Sequence, residues 1–152
     1  MRIMEITDVA EKRRIASEVL EDLPEWFGLP DATAAYIRDS ARMPFYAAAA
    51  EGKTIGFIAM KKTSPLTAEV YVMGVKKRWH RCGAGRALME AFLQRARADG
   101  CEYAQVKTVA AGHYEEYDRT RLFYEAMGFC ALEVFPTLWD AWNPCLVMVM
   151  KL

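Results

Sequence analysis

Val75-Lys-Lys-Arg-Trp-His-Arg-Cys-Gly-Ala-Gly-Arg86 separates an alternating apolar segment from a helical one, and its reading decides the fold. The segment before it, Ala68–Val75, alternates with period two as a strand does, with Val70, Val72 and Gly74 expected on one face and Glu69, Tyr71, Met73 and Val75 on the other. The segment after it, Ala84–Asp99, places Ala84, Ala87, Leu88, Ala91, Phe92 and Ala96 at helical spacing, and Gly100 supplies a left-handed stop. A strand, a glycine loop and a helix in that order make an anion site. The first N–H groups of the helix lack partners, and the helix dipole concentrates positive charge there. Lys76, Lys77, Arg78, Arg81 and Arg86 add cations with no acid among them. Glycine before a helix is not diagnostic by itself, and a basic loop is also an ordinary solvated surface. Two other phosphate motifs are excluded. Leu88 stands where a dinucleotide fingerprint needs a small residue, and Gly85-Arg86-Ala87 lacks the Lys-Ser/Thr of a P-loop.

Working outward, Arg2–Thr7 reads as a strand and Val9–Asp22 as a helix capped by Asp8, with Val9, Ile15, Val19 and Leu20 inward. Leu23–Pro30 breaks the chain with two prolines and a glycine, and Asp31 is expected to cap a second helix to Arg42. Phe45–Ala50 and Thr54–Lys62 read as a hairpin turning at Glu51-Gly52-Lys53. Cys101–Val109 is a strand, Asp118–Met127 a helix stopped by Gly128, and Cys130–Phe135 and Cys145–Lys151 are closing strands. The order is mixed α/β (α+β), with an antiparallel first half and a crossover helix between the fourth and fifth strands.

The 152 residues suit one domain, residues 1–152, with a core that needs no disulfide or metal. Lys+Arg and Asp+Glu both number 20, and that balance tells against a nucleic-acid partner. Cys82, Cys101, Cys130 and Cys145 show no metal-binding spacing, so no metal is expected. The apolar runs are too short for a membrane span, the N-terminus carries Arg2 and Glu5, and a cytoplasmic location is expected.

His80-Arg81-Cys82-Gly83-Ala84-Gly85 and Phe123-Tyr124-Glu125-Ala126-Met127-Gly128-Phe129 lie about forty residues apart with a strand between them. In that order they resemble the two signature motifs of the GCN5-related N-acetyltransferase (GNAT) superfamily, and the resemblance covers essentially the whole chain. It implies a mostly antiparallel central sheet of about seven strands with about four flanking helices, acetyl-CoA as co-substrate, and a homodimer as one assembly open to it. Main-chain groups of Met73 and Val75 would pair with the pantetheine arm, Met73 N–H would reach the thioester carbonyl, and Arg81, Cys82, Gly83, Ala84, Gly85 and Arg86 would wrap the pyrophosphate. His80 departs from the family's Gln/Arg, and Tyr117 stands where many members carry asparagine.

The chemistry that the resemblance implies needs a base for the amine, a donor for the oxyanion and an acid for the sulfur. Tyr124 matches the family tyrosine at the leaving thiolate. Glu69 lies fourteen residues before Gly83, at the spacing of the glutamate base in histone acetyltransferases of the superfamily. An amine of pKa about 10.4 is neutral in about one molecule in 2,500 at pH 7, roughly 4.6 kcal/mol, so deprotonation matters. His113 and water are alternatives to Glu69. For the acceptor, Trp26, Phe27, Tyr71, Trp139 and Trp142 form a candidate aromatic wall, and no anionic trough for a polycation stands out. The expected function is acetyl transfer from acetyl-CoA to a primary amine, small or peptidic, by direct attack in a ternary complex. The alternative is a non-catalytic acyl-CoA-binding module.

Overall fold

The computed structural model describes residues Met1–Leu152. The elements are β1 (Arg2–Glu5), α1 (Val9–Glu21), α2 (Pro30–Ser40), β2 (Phe45–Ala50), β3 (Lys53–Ser64), β4 (Thr67–Val75), α3 (Ala84–Ala98), β5 (Tyr103–Val109), α4 (Glu115–Ala126), β6 (Cys130–Asp140) and β7 (Asn143–Lys151). The strands form one sheet in the order β1-β2-β3-β4-β5-β7-β6. All neighbours are antiparallel except β4 and β5, which α3 connects as a parallel crossover. This is the mixed, mostly antiparallel seven-stranded sheet with four helices expected from the sequence.

Each face of the sheet holds its own core. On one, α1 and α2 cover Ile15, Ala16, Val19, Leu20, Leu23, Phe45 and Phe57, with Phe45 and Phe57 stacked 5.0 Å apart. On the other, α3 and Tyr124 of α4 cover Ile55, Ile58, Leu88, Met89, Phe92, Leu93 and Met148. A fully buried side chain of this size contributes about 1.5–3 kcal/mol relative to exposure.

Local readings change in four places. The inward face of α3 carries Met89 and Leu93 with Leu88 and Phe92, rather than Ala87 and Ala91, because larger side chains fill the space to the sheet. On α1, Val9 is 44% exposed and the buried set is Lys12, Ile15, Ala16, Val19 and Leu20. Asp31 does not cap α2; Leu29 is the N-cap and Pro30 takes the first helical position, where its fixed φ fits and its missing N–H costs nothing. The Glu51-Gly52 turn is as expected, with both residues at positive φ (53° and 72°).

The fourth change shapes the site. Ala59 pairs with Val72 and Met60 with Val70, so Tyr71 is an extra residue, a β-bulge. The bulge interrupts the alternation assumed for β4. Tyr71 and Val72 pack with the α1/α2 core, whereas Met73 and Val75 pack with the α3 core. Ala68 and Val70 also belong to the α3 side, so Glu69 points toward α1/α2 with Tyr71 and away from Met73 and Val75.

Gly74 lets α1 lie directly on β4, since a Cβ there would stand 2.9 Å from Leu23 Cδ1 and 3.1 Å from Val19 Cγ1. Gly56, across from Val75, is tighter still, with a Cβ meeting Gly74 O at 2.8 Å. Gly56→Ala should lower the unfolding free energy by about 1–3 kcal/mol, read from the urea midpoint. Gly83→Ala, strained but with nothing within 4 Å of its Cβ, should cost less, about 1 kcal/mol.

Candidate active site

β4 and β5 pair only over Thr67–Val70 and Tyr103–Val106. Beyond those residues they part. β4 keeps β3 on one edge, and β5 keeps β7 on the other, so the facing edges of Tyr71–Val75 and Lys107–Val109 have no strand partner. A cavity of about 1100 Å³ passes through this gap. Leu23, Phe27 and Tyr36 line it on the α1/α2 face, and Gly85, Arg86, Phe123 and Tyr124 on the α3/α4 face.

At one end lies the glycine loop. A 3₁₀ turn at Lys77–Trp79 leads to Arg81 at φ 62° and Gly83 at φ 88°, the N-cap of α3. No side chain caps Gly83, and the first intrahelical bond is Ala87 N–H to Gly83 O (3.0 Å), so Ala84, Gly85 and Arg86 N–H have no helical acceptor. Lys76 and Lys77 are already paired, with Glu18 and with Glu25 (2.9 Å), whereas Arg81, Arg86 and Arg119 line the cavity without ion pairs. Cys82 and Ala84 do not line it: the Cys82 thiol donates to Trp79 O (2.7 Å), and Ala84 is buried in the α3 core.

His80 has a structural task. Its Nε2 hydrogen-bonds Val75 O at 2.6 Å, which makes Nε2 the protonated nitrogen, and its ring meets Trp26 edge-on at 5.8 Å. Trp26 in turn donates from Nε1 to Thr120 Oγ1 (3.2 Å), and its carbonyl accepts from the Tyr117 hydroxyl (2.5 Å). One tryptophan thus ties the α1–α2 bend to the glycine loop and to α4. Tyr117, at the position where the family often carries asparagine, is spent on this contact, and burial pushes its phenol up to about 12.

Tyr117, Thr120 and Tyr124 share the inner face of α4. Tyr124 lines the cavity while only 6% exposed, in edge contact with Phe129 (5.9 Å), and its hydroxyl has no partner within the chain. Burial raises its pKa far above the ordinary tyrosine value, so it is a neutral donor across the physiological range. Thr108, on the side of β5 that Val106 shares with Tyr124, has a buried Oγ1 that bonds nothing in the chain.

The other end is aromatic. Phe27, Tyr36 and Tyr71 form an edge-to-face series with centroids 5.8 and 5.4 Å apart, and Trp139 also lines the cavity. Tyr71 donates to Asp39 Oδ2 (3.2 Å), and burial, then the Asp39 charge, lifts its phenol up to about 12. Glu69 is 4% exposed and lies off the cavity wall, its Oε1 accepting from Gln105 Nε2 (2.9 Å) and Lys107 Nζ (3.2 Å). It is Lys107 that reaches the cavity.

The structure therefore gathers Trp26, Tyr71, Met73, Val75, Arg81, Gly83, Gly85, Arg86, Tyr124 and Trp139 around one cavity. Trp142 is 80% exposed outside it, and the exposed His113 is not on its wall. Sequence reading missed Tyr36, Lys107, Thr108 and Arg119. A signal for Lys107 existed, a charge inside a short strand, but its link to Glu69 needs the β4–β5 pairing.

Residues 10–129 match the Acetyltransferase (GNAT) family, and the chain belongs to it. A search of the curated proteins found no match to the sequence. Among solved structures, an aminoglycoside 6'-acetyltransferase type Ii is similar at 18% identity and TM-score 0.80, covering 99% of this chain and 97% of that one. Ard1 from Thermoplasma volcanium is similar at 24% identity and TM-score 0.74, with coverage of 99% and 97%. An aminoglycoside 6'-N-acetyltransferase complexed with coenzyme A shares 16% identity at TM-score 0.78, again covering 99% and 97%. Identity this low establishes the common fold.

The raised Tyr117 pKa has a measurable consequence. A phenol whose folded value exceeds its unfolded value of about 10 contributes stability that is intact below pH 10. That contribution is lost as pH climbs through the folded value, about 12. The difference in unfolding free energy between wild type and Tyr117→Phe should be constant to about pH 10 and shrink above it.

Proposed function

We propose that this protein transfers an acetyl group from acetyl-CoA to a primary amine within a ternary complex. The observation that carries the reading is the parted pair β4/β5, open along Tyr71–Val75, with unpaired cations at one mouth, aromatic rings at the other and Tyr124 at the junction. The donor set suits the co-substrate: a free strand edge for an amide-bearing arm, and uncapped helix N–H groups with Arg81 and Arg86 for a pyrophosphate. Acetyl-CoA supplies an acyl carbon activated as a thioester.

The chain's residues take the following parts. Main-chain groups of Met73 and Val75 bind the arm, and Met73 N–H is the oxyanion donor. Gly83–Arg86 hold phosphate through backbone N–H, with Cys82 and Ala84 engaged only by main chain. Tyr124 donates a hydrogen bond to the departing sulfur. The thiolate of a thiol near pKa 8.5 is a weaker base than the buried phenolate would be, so the tyrosine keeps its proton while it stabilises the thiolate. Glu69 is set back from the cavity, and its part is to hold Lys107 while the amine loses its proton to water.

Release of free thiol from acetyl-CoA across an amine panel tests the reaction. Tyr124→Phe should lower kcat by about 10- to 1000-fold with little change in the KM for acetyl-CoA. If acetyl-CoA raises the melting temperature but no amine yields thiol, the binding-module alternative holds instead.

A homodimer is part of the proposal. β6 is an edge strand exposed on both faces, and it carries Leu132, Val134, Phe135, Leu138 and Trp139 there. An apolar edge of this kind is a pairing surface, and a second copy offers the same edge for antiparallel pairing. Light scattering should report twice the chain mass, and Val134→Lys with Leu132→Glu should return the monomer.

A further inference from the structure

Carboxylates around the aromatic chamber are already answered within the chain. Asp39 accepts from Arg38 Nε (3.0 Å) and the Tyr71 hydroxyl (3.2 Å), and Glu69 accepts from Gln105 and Lys107. Lys61 Nζ adds a further cation 5.8 Å from the Tyr71 ring. Arg38 pairs with Asp39 and Lys107 with Glu69, and Lys61 has no ion pair. Of the acids that line the cavity, Glu25 pairs with Lys77 (2.9 Å), and Glu116 sits in the first turn of α4, where the helix N-terminus stabilises it. Around the aromatic rings a polycationic acceptor meets Arg38, Lys61 and Lys107, and Glu116 is the one carboxylate of the cavity wall without a cationic partner.

Lys107, on β5 with its Nζ on Glu69, is a charged group of the cavity wall. Its side chain is 36% exposed and its Nζ spends one of three donors on Glu69, whose own side chain is 5% exposed and fixed by Gln105. A lysine held on a buried, hydrogen-bonded carboxylate keeps a set direction, with donors left for a ligand. Phe27, Tyr36, Tyr71 and Trp139 line the same cavity. One ammonium donor beside an aromatic wall suits a carboxylate attached to an apolar group.

We propose that the acceptor is an amine that also bears a carboxylate and an aromatic or apolar side chain, the chemistry of a free apolar amino acid. Lys107 Nζ donates to its carboxylate, and the rings take its side chain. In the reaction the amine nitrogen bonds the acyl carbon as the carbon–sulfur bond breaks. The nitrogen gives its proton to water, and the thiolate leaves with the sulfur's electron pair, later taking a proton from solvent. The products are an N-acetyl amino acid and CoA. This inference rests on the acetyl transfer proposed above.

L-phenylalanine, its methyl ester, phenethylamine, glycine, kanamycin and spermidine form the test panel. Phenylalanine should have the highest kcat/KM, with the ester and phenethylamine lower by about tenfold or more, the value of one charge-assisted contact, and glycine lower by about tenfold or more for want of a side chain to bury. The ester is a stringent control, because its amine is less basic and so more fully neutral. Lys107→Met should raise the KM for phenylalanine at least about tenfold and cut the preference for phenylalanine over phenethylamine by a similar factor, while Lys107→Arg retains most of the wild-type value. Because Lys107→Met leaves Glu69 unpaired, the double variant Lys107→Met/Glu69→Gln is measured beside it, with an unchanged KM for acetyl-CoA as the sign of an intact fold. Independently of turnover, phenylalanine should raise the melting temperature of the CoA-loaded wild type and not of Lys107→Met. Equal or better turnover of phenethylamine, kanamycin or spermidine overturns the inference and leaves acetyl transfer standing. No thiol release with any amine overturns both.

Discussion

The parting of β4 from β5 is the constraint on which the rest of the molecule depends. A parallel pair formed by a crossover helix is ordinarily zipped along its length, yet here pairing stops at Val70 and Val106. The bulge at Tyr71 falls at the next residue, where the two-for-one count with β3 bends β4 and raises its twist. The consequence is a strand edge inside the sheet whose peptide groups have no strand to satisfy them. Peptide groups left unpaired in an interior are costly, so such an edge persists where water or a ligand takes the place of the missing strand.

The two cores follow from the same geometry. Each packs one helix layer against one face of the sheet, and neither fills the gap, which stays open from face to face. Trp26 then crosses it, joining the α1–α2 bend to α4 through Thr120 and Tyr117 and to the glycine loop through His80. The glycine loop, the α1–α2 bend and the Tyr124 helix are thereby held by one residue. A histidine in the glycine loop is less anomalous in this setting, since its bond to Val75 O closes the loop onto the end of β4.

Charge divides the cavity without any large net charge on the chain. Acids on α1 and in the bend that follows it neutralise Lys76 and Lys77, and the cations left facing the cavity are Arg81, Arg86 and Arg119. At the chamber the buried Glu69 anchors Lys107, and the part-exposed Asp39 is held by Arg38 and Tyr71. Similarity to aminoglycoside acetyltransferases at 16–18% identity carries the scaffold across. It does not carry the acceptor, because Phe27, Tyr36 and Trp139 sit on the bend, α2 and β6, and Tyr71 and Lys107 on β4 and β5, all outside the two motifs.

Much of this was legible in the chain alone. The element order, the hairpin at Glu51-Gly52, the helix stop at Gly100 and the uncapped glycine start of α3 at Gly83 follow from local rules of periodicity, backbone freedom and unpaired N–H groups. Those rules act within a few residues, so one sequence suffices to apply them. The motif around Tyr124 likewise placed a tyrosine that the fold brings to the gap. What local rules missed was decided by pairing between distant segments. The bulge at Tyr71 exists only relative to β3, and it turned Glu69 away from Met73, against the simple alternation of β4. The Glu69–Lys107 pair joins neighbouring strands far apart in sequence, so neither residue announces it. Sequence by itself determined which groups the protein carries and which local shapes they favour; tertiary structure decided which of them share a space, because register across the sheet sets that choice.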